Sequence, residues 1–291
     1  MRVRRRELWL VASLSMACQQ GAERGEPAVS ATVLSSQLDG EPTGIGLLLS
    51  QSDQELQYWG VPHRYDPDDP ILLALDRRWE QFASSHPPVG TCVVVEGRPR
   101  DEAGSRSEAI RVGGGEGGLV SWRAALGGYR VVTLEPETRS LFAQQAQQFG
   151  HAPSCHAYLL RGVSLWQARR PSEPLSTFLE DLWPWESLGC DPSLDTIAEV
   201  HLRLHGGELW SIGEAELARM LDPVAGDTDM ARVMARDASL RDAHMVEGLA
   251  ASWREGQSLF VVVGQAHLEA QEQALRSRLI YERAASVQLE E

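Results

Sequence analysis

Apolar residues occur along the chain in two kinds of run, and each kind predicts a different element. Short apolar stretches bounded by glycine or polar residues are typical of buried strands, and they fall at residues 44–50, 55–61, 91–95, 129–134 and 259–263. Between them, Leu, Trp and Phe recur at three-to-four spacing, which predicts helices that bury one face. Strands alternating with helices predict an α/β protein with a mostly parallel central sheet flanked by helices.

The helices are located by caps and breaks as well as by spacing. Asp69 and Pro70 supply an N-cap and a first residue for a helix over about residues 70–84. Further helices are expected over about 119–126, 229–255 and 269–280, followed by a last strand near 285–289. From about 137 to 237 the pattern is mostly helical with breaks at proline. This stretch is expected to be an insertion that caps the carboxyl ends of the strands.

Two of the apolar runs end in the same local pattern, Gly-x-x-His. Residues 56–59 lead into Gly60-Val61-Pro62-His63, and residues 259–263 lead into Gly264-Gln265-Ala266-His267. His267 is expected on the turn before a helix. Ligands of open α/β sheets collect at the carboxyl ends of strands, so we predict that His63 and His267 meet in one site.

Other polar residues follow the strands in the same way. Glu96 comes after the strand at 91–95, Glu135 follows the strand at 129–134, and Arg241 lies in the helix before the second histidine motif. A single histidine at a strand end is usually a structural hydrogen-bonding residue. Two histidines, two carboxylates and an arginine in this order instead indicate metal-assisted or general-base hydrolysis. Imidazole and carboxylate ligands suit Zn, Mn or Co.

The remaining histidines give weaker signals. His201 and His205 have the i, i+4 spacing of metal ligands on a helix, but no glutamate lies between them as in a zincin helix, so we interpret them as a solvated face. His86, His151 and His156 lie near proline or glycine and are interpreted as loop residues. The main metal prediction therefore stays with His63 and His267.

Composition and charge indicate the number of domains and argue against some classes of binding partner. A chain of 291 residues with 43% apolar content favours one large domain with an insertion, over residues 44–291. The formal net charge of -14 makes the chain a poor partner for nucleic acid or for an anionic membrane surface. The glycine-rich run at 113–118 is not interpreted as a phosphate loop, because neither a preceding strand nor a following Lys-Ser/Thr pair accompanies it.

The first 18 residues have the pattern of an export signal. Four arginines precede an apolar stretch at 8–16 and small residues before Cys18. Residues 14–18 resemble a bacterial lipobox, in which the cysteine is lipidated after cleavage. Residues 19–43, rich in Gly, Ser, Glu and Pro, are expected to be a flexible tether. We expect an exported cell-envelope lipoprotein that meets the membrane only through its lipid anchor, with a secreted or periplasmic protein as the second choice.

Three cysteines follow Cys18. Cys92 lies in a predicted strand and is interpreted as a small buried apolar residue. Cys155 and Cys190 flank a helical region, and export of the chain favours a disulfide between them. The absence of a Cys-x-x-Cys spacing from the sequence removes a zinc site built on that motif.

Taken in order, these motifs resemble the TraB/PrgY/GumN family, which includes the TIKI metalloproteases and lies within the erythromycin-esterase and ChaN-like superfamily. The resemblance spans about residues 55–280 and rests on residues 60–63, Glu96-Gly97, Arg241 and residues 264–267. It adds Glu116 and Glu135 as further acidic positions. The chain departs from the family pattern at Asp242, since the family often has asparagine after the arginine.

The resemblance implies a metal-dependent hydrolase that cuts a peptide, amide or ester bond in a peptide or small-molecule substrate. The metal ligands that it implies are His63, His267, Glu96, Glu135 and Glu116. Glu96 would act as ligand or general base, while Arg241 would orient an acidic residue or bind the developing oxyanion. Because the superfamily also includes a haem-binding lipoprotein, the alternative is a non-catalytic lipoprotein that holds haem or another small ligand. A scaffold without activity is the third interpretation.

Overall fold

The computed structural model describes residues 30–34, 37–38, 41–42, 45–51, 53–97, 99, 102–169, 172–224 and 226–281. In chain order, its strands are β1 (Ser30–Leu34), β2 (Gln37–Leu38), β3 (Glu41–Pro42), β4 (Ile45–Gln51), β5 (Gln54–Val61), β6 (Thr91–Val95), β7 (Arg130–Val132) and β8 (Ser258–Gly264). The helices that surround the sheet are α1 (Pro70–Ser85), α2 (Arg106–Arg111), α3 (Glu116–Leu126), α10 (Asp229–Arg254) and α11 (Gln265–Arg276), the last continued by a π-helical turn at Ser277–Tyr281.

The helical insertion lies between β7 and α10. It consists of α4 (Thr138–Phe149), α5 (His151–Arg169), α6 (Leu175–Leu182), α7 (Trp185–Leu188), α8 (Leu194–His205), a 3-10 turn (Leu209–Ser211) and α9 (Glu214–Leu221). These helices pack around α5 and have a core of their own, which includes Tyr158, Leu179 and Ile197. Leu182 and Trp183, at the end of α6, line a cavity that also contains Glu96 and Glu135. The insertion therefore covers the carboxyl end of the sheet, as predicted.

The main sheet has six strands in the order β1-β4-β5-β8-β6-β7. The three neighbouring pairs β5–β8, β8–β6 and β6–β7 are parallel, and the two pairs at the β1 side are antiparallel. The predicted α/β class with a mostly parallel sheet is confirmed. Although β8 is the last of these strands in the chain, it lies between β5 and β6, and this order brings the two histidine motifs together.

Strand β8 is buried on both faces, which explains its uninterrupted apolar sequence. Leu259, Val261 and Val263 belong to the core formed with α10 and α11. Phe260 and Val262 belong to the core formed with α1 and α3 on the other face. The alternation of successive side chains between these cores makes β8 the central packing element of the protein.

Some boundaries differ from the prediction. Helix α3 begins at Glu116 and not near residue 119, so the second half of the glycine run is helical. Gly118 lies so close to α2 that a Cβ atom there would meet the Ala109 carbonyl oxygen at 2.1 Å. Tight helix packing therefore accounts for this glycine. Similarly, α11 begins directly at Gln265, because Gly264 serves both as the strand end and as the helix N-cap. His267 thus lies in the first turn of the helix.

The flexible-tether prediction for residues 19–43 is wrong for the part that the structure describes. Residues 30–34 form β1, which pairs antiparallel with β4 at the edge of the main sheet. Backbone hydrogen bonds to a neighbouring strand order residues 30–34, although the composition of residues 19–43 as a whole is typical of a tether. The predicted leader, Cys18 and the predicted last strand near 285–289 lie outside the described residues. Among the described helices, none combines the length and apolar character needed to cross a membrane.

Cys155 and Cys190 form a disulfide that joins α5 to the chain after α7. Replacing both cysteines by alanine is expected to lower the free energy of unfolding by about 3–4 kcal/mol, because the bridge closes a loop with a sequence separation of 35. Urea unfolding followed by circular dichroism measures this change. Cys92→Ala, which removes a buried free thiol, is the control, and a double variant no less stable than this control contradicts the expectation.

Candidate functional site

Three parallel strands deliver the predicted site residues to one edge of the sheet. β5 ends two residues before His63, β6 ends directly before Glu96, and β8 ends three residues before His267. Because β8 lies between the other two strands, their carboxyl ends meet. His63, Glu96, His267 and Arg241 all line one cleft with a volume of about 880 Å³.

Glu96 is the centre of this site. One of its oxygens, Oε2, accepts a hydrogen bond of 2.7 Å from the backbone N–H of Gly264. The other, Oε1, accepts a hydrogen bond of 3.1 Å from Arg241 and lies 3.6 Å from Nε2 of His267. Burial by itself raises the pKa of the carboxyl group, but His267 and the positive charge of Arg241 together hold it well below its usual range. Glu96 is therefore a carboxylate.

The two motif glycines allow close approaches that a side chain would block. A Cβ atom at Gly264 would lie 3.1 Å from Oε2 of Glu96 and 3.3 Å from Cε1 of His63. At Gly60, a Cβ atom would lie 2.8 Å from the Cβ atom of Leu268 in α11. The first glycine thus brings strand β8 against the polar residues, and the second seats the helix that carries His267 on β5.

His63 is held by Glu116, the first residue of α3. Nδ1 of His63 lies 2.6 Å from Oε1 of Glu116, and this hydrogen bond raises the pKa of the imidazole. The His63 side chain is 49% exposed, whereas that of Glu116 is 3% exposed. A buried carboxylate therefore orients a ring whose other nitrogen remains on the side of Gly264 and the cleft.

His267 is held by a second carboxylate, that of Asp242 on α10. Nδ1 of His267 lies 2.6 Å from Oδ1 of Asp242, which also accepts a hydrogen bond of 2.7 Å from Gln271. Gln271 in turn accepts a hydrogen bond of 2.8 Å from the buried Tyr58 hydroxyl. Burial lowers the pKa of His267, but its hydrogen bond with Asp242 and the negative charge of Glu96 outweigh burial and raise the pKa to about 9. This series of hydrogen bonds fixes the His267 ring with Nε2 directed toward Glu96.

Arg241 links carboxylates that come from different elements. Its NH2 group contacts both Glu96 and Glu135, and its NH1 group lies 3.9 Å from Asp237. Asp237 also accepts hydrogen bonds from Gln145 in α4 at 2.5 Å and from Tyr158 in α5 at 2.9 Å. Arg241 therefore neutralises the acidic side of the site, and Asp237 connects this arginine to helices α4 and α5 of the insertion.

The predicted residues thus lie together, but they form subgroups. His63, Glu96 and Glu116 each offer a ligand atom, and these three atoms lie within 4.8 Å of one another. His267 lies beside Glu96 outside this group, and Glu135 is paired with Arg241.

Several residues of the site network do not figure among the sequence predictions: Asp242, Gln271, Tyr58, Asp237 and Arg161, which donates a hydrogen bond to Asp237. Two signals point to some of them. Asp242 directly follows Arg241 in the sequence, and Gln271 lies one helical turn after His267.

Three histidine assignments made from sequence are wrong, including that of His151, which is helical and not a loop residue. His201 and His156 are not solvated or loop residues, because they lie on α8 and α5 with exposures of 1% and 0%. Nε2 of His156 lies 3.1 Å from Nδ1 of His201. Burial, with the neighbouring His201 and His205 rings, lowers the pKa of His156 to about 3. Of the two histidines predicted to form a solvated face, His201 and His205, only His205 is exposed.

His86 and His151 lie at helix ends, His86 as the C-cap of α1 and His151 as the first residue of α5. His151 lies near both Cys155 and Cys190, but these sulfurs are joined in the disulfide and are not available as thiolate ligands.

Comparison with known proteins found no match that could assign a function to this site. No family model, curated protein or solved structure matches the chain. The function is therefore argued from the site itself.

Proposed function

We propose that this protein is an exported, metal-dependent hydrolase that cuts a peptide, amide or ester bond. The main support is the approach of His63, Glu96 and Glu116, whose ligand atoms lie within 4.8 Å of one another beside a large cleft. The His63 imidazole and the Glu96 carboxylate are donors that suit Zn, Mn or Co, and Glu116 lies behind His63 as its hydrogen-bond partner, so the group fits a divalent cation. When bound there, such a cation supplies Lewis-acid polarisation of the scissile carbonyl group.

The residues around this group have distinct tasks in the proposed reaction. Glu116 orients His63 through the 2.6 Å hydrogen bond, as an outer partner of a ligand histidine does. Arg241 and the Gly264 N–H hold the two oxygens of Glu96 in place. Glu96 is therefore presented as a fixed carboxylate, able to bind a cation or to accept a proton from an attacking water.

His267 is placed to move a proton at the edge of the cleft. Its Nδ1 is engaged by Asp242, which leaves Nε2 as the nitrogen that faces Glu96 and the cleft. Its side chain is 12% exposed, so a substrate atom can reach it only from the cleft. In the proposed reaction, Nε2 exchanges a proton with the substrate or leaving group, and Asp242 keeps the ring in the required orientation.

The cleft indicates the class of substrate. Its volume of about 880 Å³ falls within the usual range of ligand sites, roughly 300–1,000 Å³. Its walls carry apolar side chains from the insertion and from α10: Leu165, Leu221, Met234 and Val246. We infer that the substrate is a peptide or acyl compound whose apolar groups lie against these walls, with the scissile carbonyl near Glu96.

A second candidate function is binding without catalysis. His63 is 49% exposed beside the cleft, so it is accessible as a ligand of haem or of another bound group. Addition of haem to the full chain separates the two proposals. A Soret shift that is lost in His63→Ala, without hydrolytic turnover in the wild type, favours binding.

The hydrolase proposal is tested on the full chain by metal analysis after loading with Zn, Mn or Co, together with turnover of peptide, amide and ester substrates. Glu96→Gln is expected to lower kcat by about 10²–10⁴-fold, because it removes the proposed base or ligand charge. Glu116→Gln is expected to weaken metal affinity about 10–100-fold, as loss of an orienting partner does. Glu137→Gln, at an exposed glutamate, is the matched control. Absence of both metal and turnover with all three cations overturns the proposal.

A further inference from the structure

A second group of histidines lies in the insertion, away from the sheet edge. His156 is on α5, while His201 and His205 are one turn apart on α8. Each offers a ring nitrogen, and the three nitrogens lie within 4.8 Å of one another. The ring centroids are separated by 5.3 Å, 5.6 Å and 4.7 Å, so each ring is near both others. None of these histidines lines the cleft described above.

We propose that His156, His201 and His205 form a metal site that binds Zn²⁺ through three imidazoles and fastens α8 to α5. This proposal does not depend on the hydrolase proposal, because the two sites share no residue.

The spacing of the nitrogens supports a cation between them. Two ligands of a tetrahedral Zn²⁺ ion with Zn–N bonds of about 2.0–2.1 Å are separated by roughly 3.3 Å. Nε2 of His156 and Nδ1 of His201 are 3.1 Å apart. His201 and His205 add the i, i+4 spacing that puts two imidazoles on one helical face. A small inward adjustment of the third ring, that of His205, completes a three-ligand set.

The chemistry of the three rings also suits a cation. Three imidazolium ions so close together would repel each other, so the rings are most stable as neutral donors, the form that binds Zn²⁺.

The surroundings allow a cation to enter. His205 is exposed, whereas His156 and His201 are buried, so the site opens toward solvent on the His205 side. Three imidazoles leave the fourth position of a tetrahedral ion for water.

The experiment measures Zn²⁺ binding to the full chain by equilibrium dialysis, in a His63→Ala/Glu116→Gln background that removes the cleft site. This background is expected to bind one equivalent of Zn²⁺. Adding His205→Ala is expected to weaken the affinity by at least about 100-fold, because a direct ligand is lost and even outer partners contribute 10–100-fold. His244→Ala, at an exposed histidine on α10, is the matched control and is expected to leave the affinity unchanged.

A second variant tests whether a loss of Zn²⁺ binding results from unfolding of the protein. His156→Leu/His201→Leu replaces the buried pair by apolar side chains, and circular dichroism reports whether the helical content is retained. A folded double variant that has lost Zn²⁺ supports the site. The proposal is overturned if the background binds no Zn²⁺, or if His205→Ala and His244→Ala bind it with equal affinity.

Discussion

Replacing Arg241 by methionine is expected to lower the free energy of unfolding by about 3–5 kcal/mol, the usual cost of removing one partner of a buried ion pair. The Arg241 side chain is 9% exposed and lies among Glu96, Glu135 and Asp237. Methionine fills a similar volume without a charge, so these three carboxylates would lose the cation that they share. Urea unfolding monitored by circular dichroism measures the change.

Arg236→Met is the matched control, because Arg236 is exposed on the same helix, α10. This control is expected to change stability by less than about 0.5 kcal/mol, as surface substitutions usually do. Arg241→Lys keeps the charge but not the fork of donors, and it is expected to lie between the wild type and Arg241→Met. Equal stabilities for Arg241→Met and Arg236→Met would show that the carboxylates do not need this arginine.

Replacing Phe260 by alanine is expected to lower the free energy of unfolding by about 3–5 kcal/mol, because a large side chain leaves a cavity in a closely packed core. Phe260 is fully buried in the middle of β8. Its ring packs against Trp79 and Phe82 of α1, with centroids 5.3 Å and 5.1 Å away. Loss of this ring weakens the contact between the central strand and α1, and thermal or urea unfolding detects the effect.

Leu126→Ala provides the comparison for Phe260→Ala, since Leu126 is 70% exposed and its loss creates no buried cavity. Phe260→Leu, which retains part of the volume, is expected to cost less than the alanine variant. If Phe260→Ala is no less stable than Leu126→Ala, the role of β8 as the central packing element is wrong.

Local pattern was sufficient to predict most elements that carry the site. The apolar run of β8 and the capped start of α1 have the predicted positions within one or two residues. Both signals are local: burial on both faces favours a continuous apolar strand, and Asp69 accepts a hydrogen bond of 2.8 Å from the Ile71 N–H at the start of α1. The tether prediction failed at β1 because the pairing of an edge strand depends on its neighbour, which composition does not encode.

The main residues of the candidate site were likewise predictable from local pattern, whereas the contacts between them were not. Glycine motifs and strand ends were enough to select His63, Glu96 and His267, and the order of the motifs added Arg241 from the preceding helix. These four residues line the cleft at the carboxyl edge of the sheet. The pairing of each histidine with its carboxylate was harder to predict, because Glu116 is 53 residues from His63, and Asp242 is 25 residues from His267. Hydrogen bonds over such separations depend on how helices are packed against the sheet.

The sequence by itself determined the α/β class, the main strands and helices and the residues at their polar ends, because periodicity, burial and capping act over a few neighbouring positions. Only the tertiary structure decided that β8 lies between β5 and β6, that Glu116 and Asp242 hold the two motif histidines, and that His156 meets His201 inside the insertion. The physical reason is that strand order and helix packing are set by the summed burial of the whole chain, and no local segment contains that information.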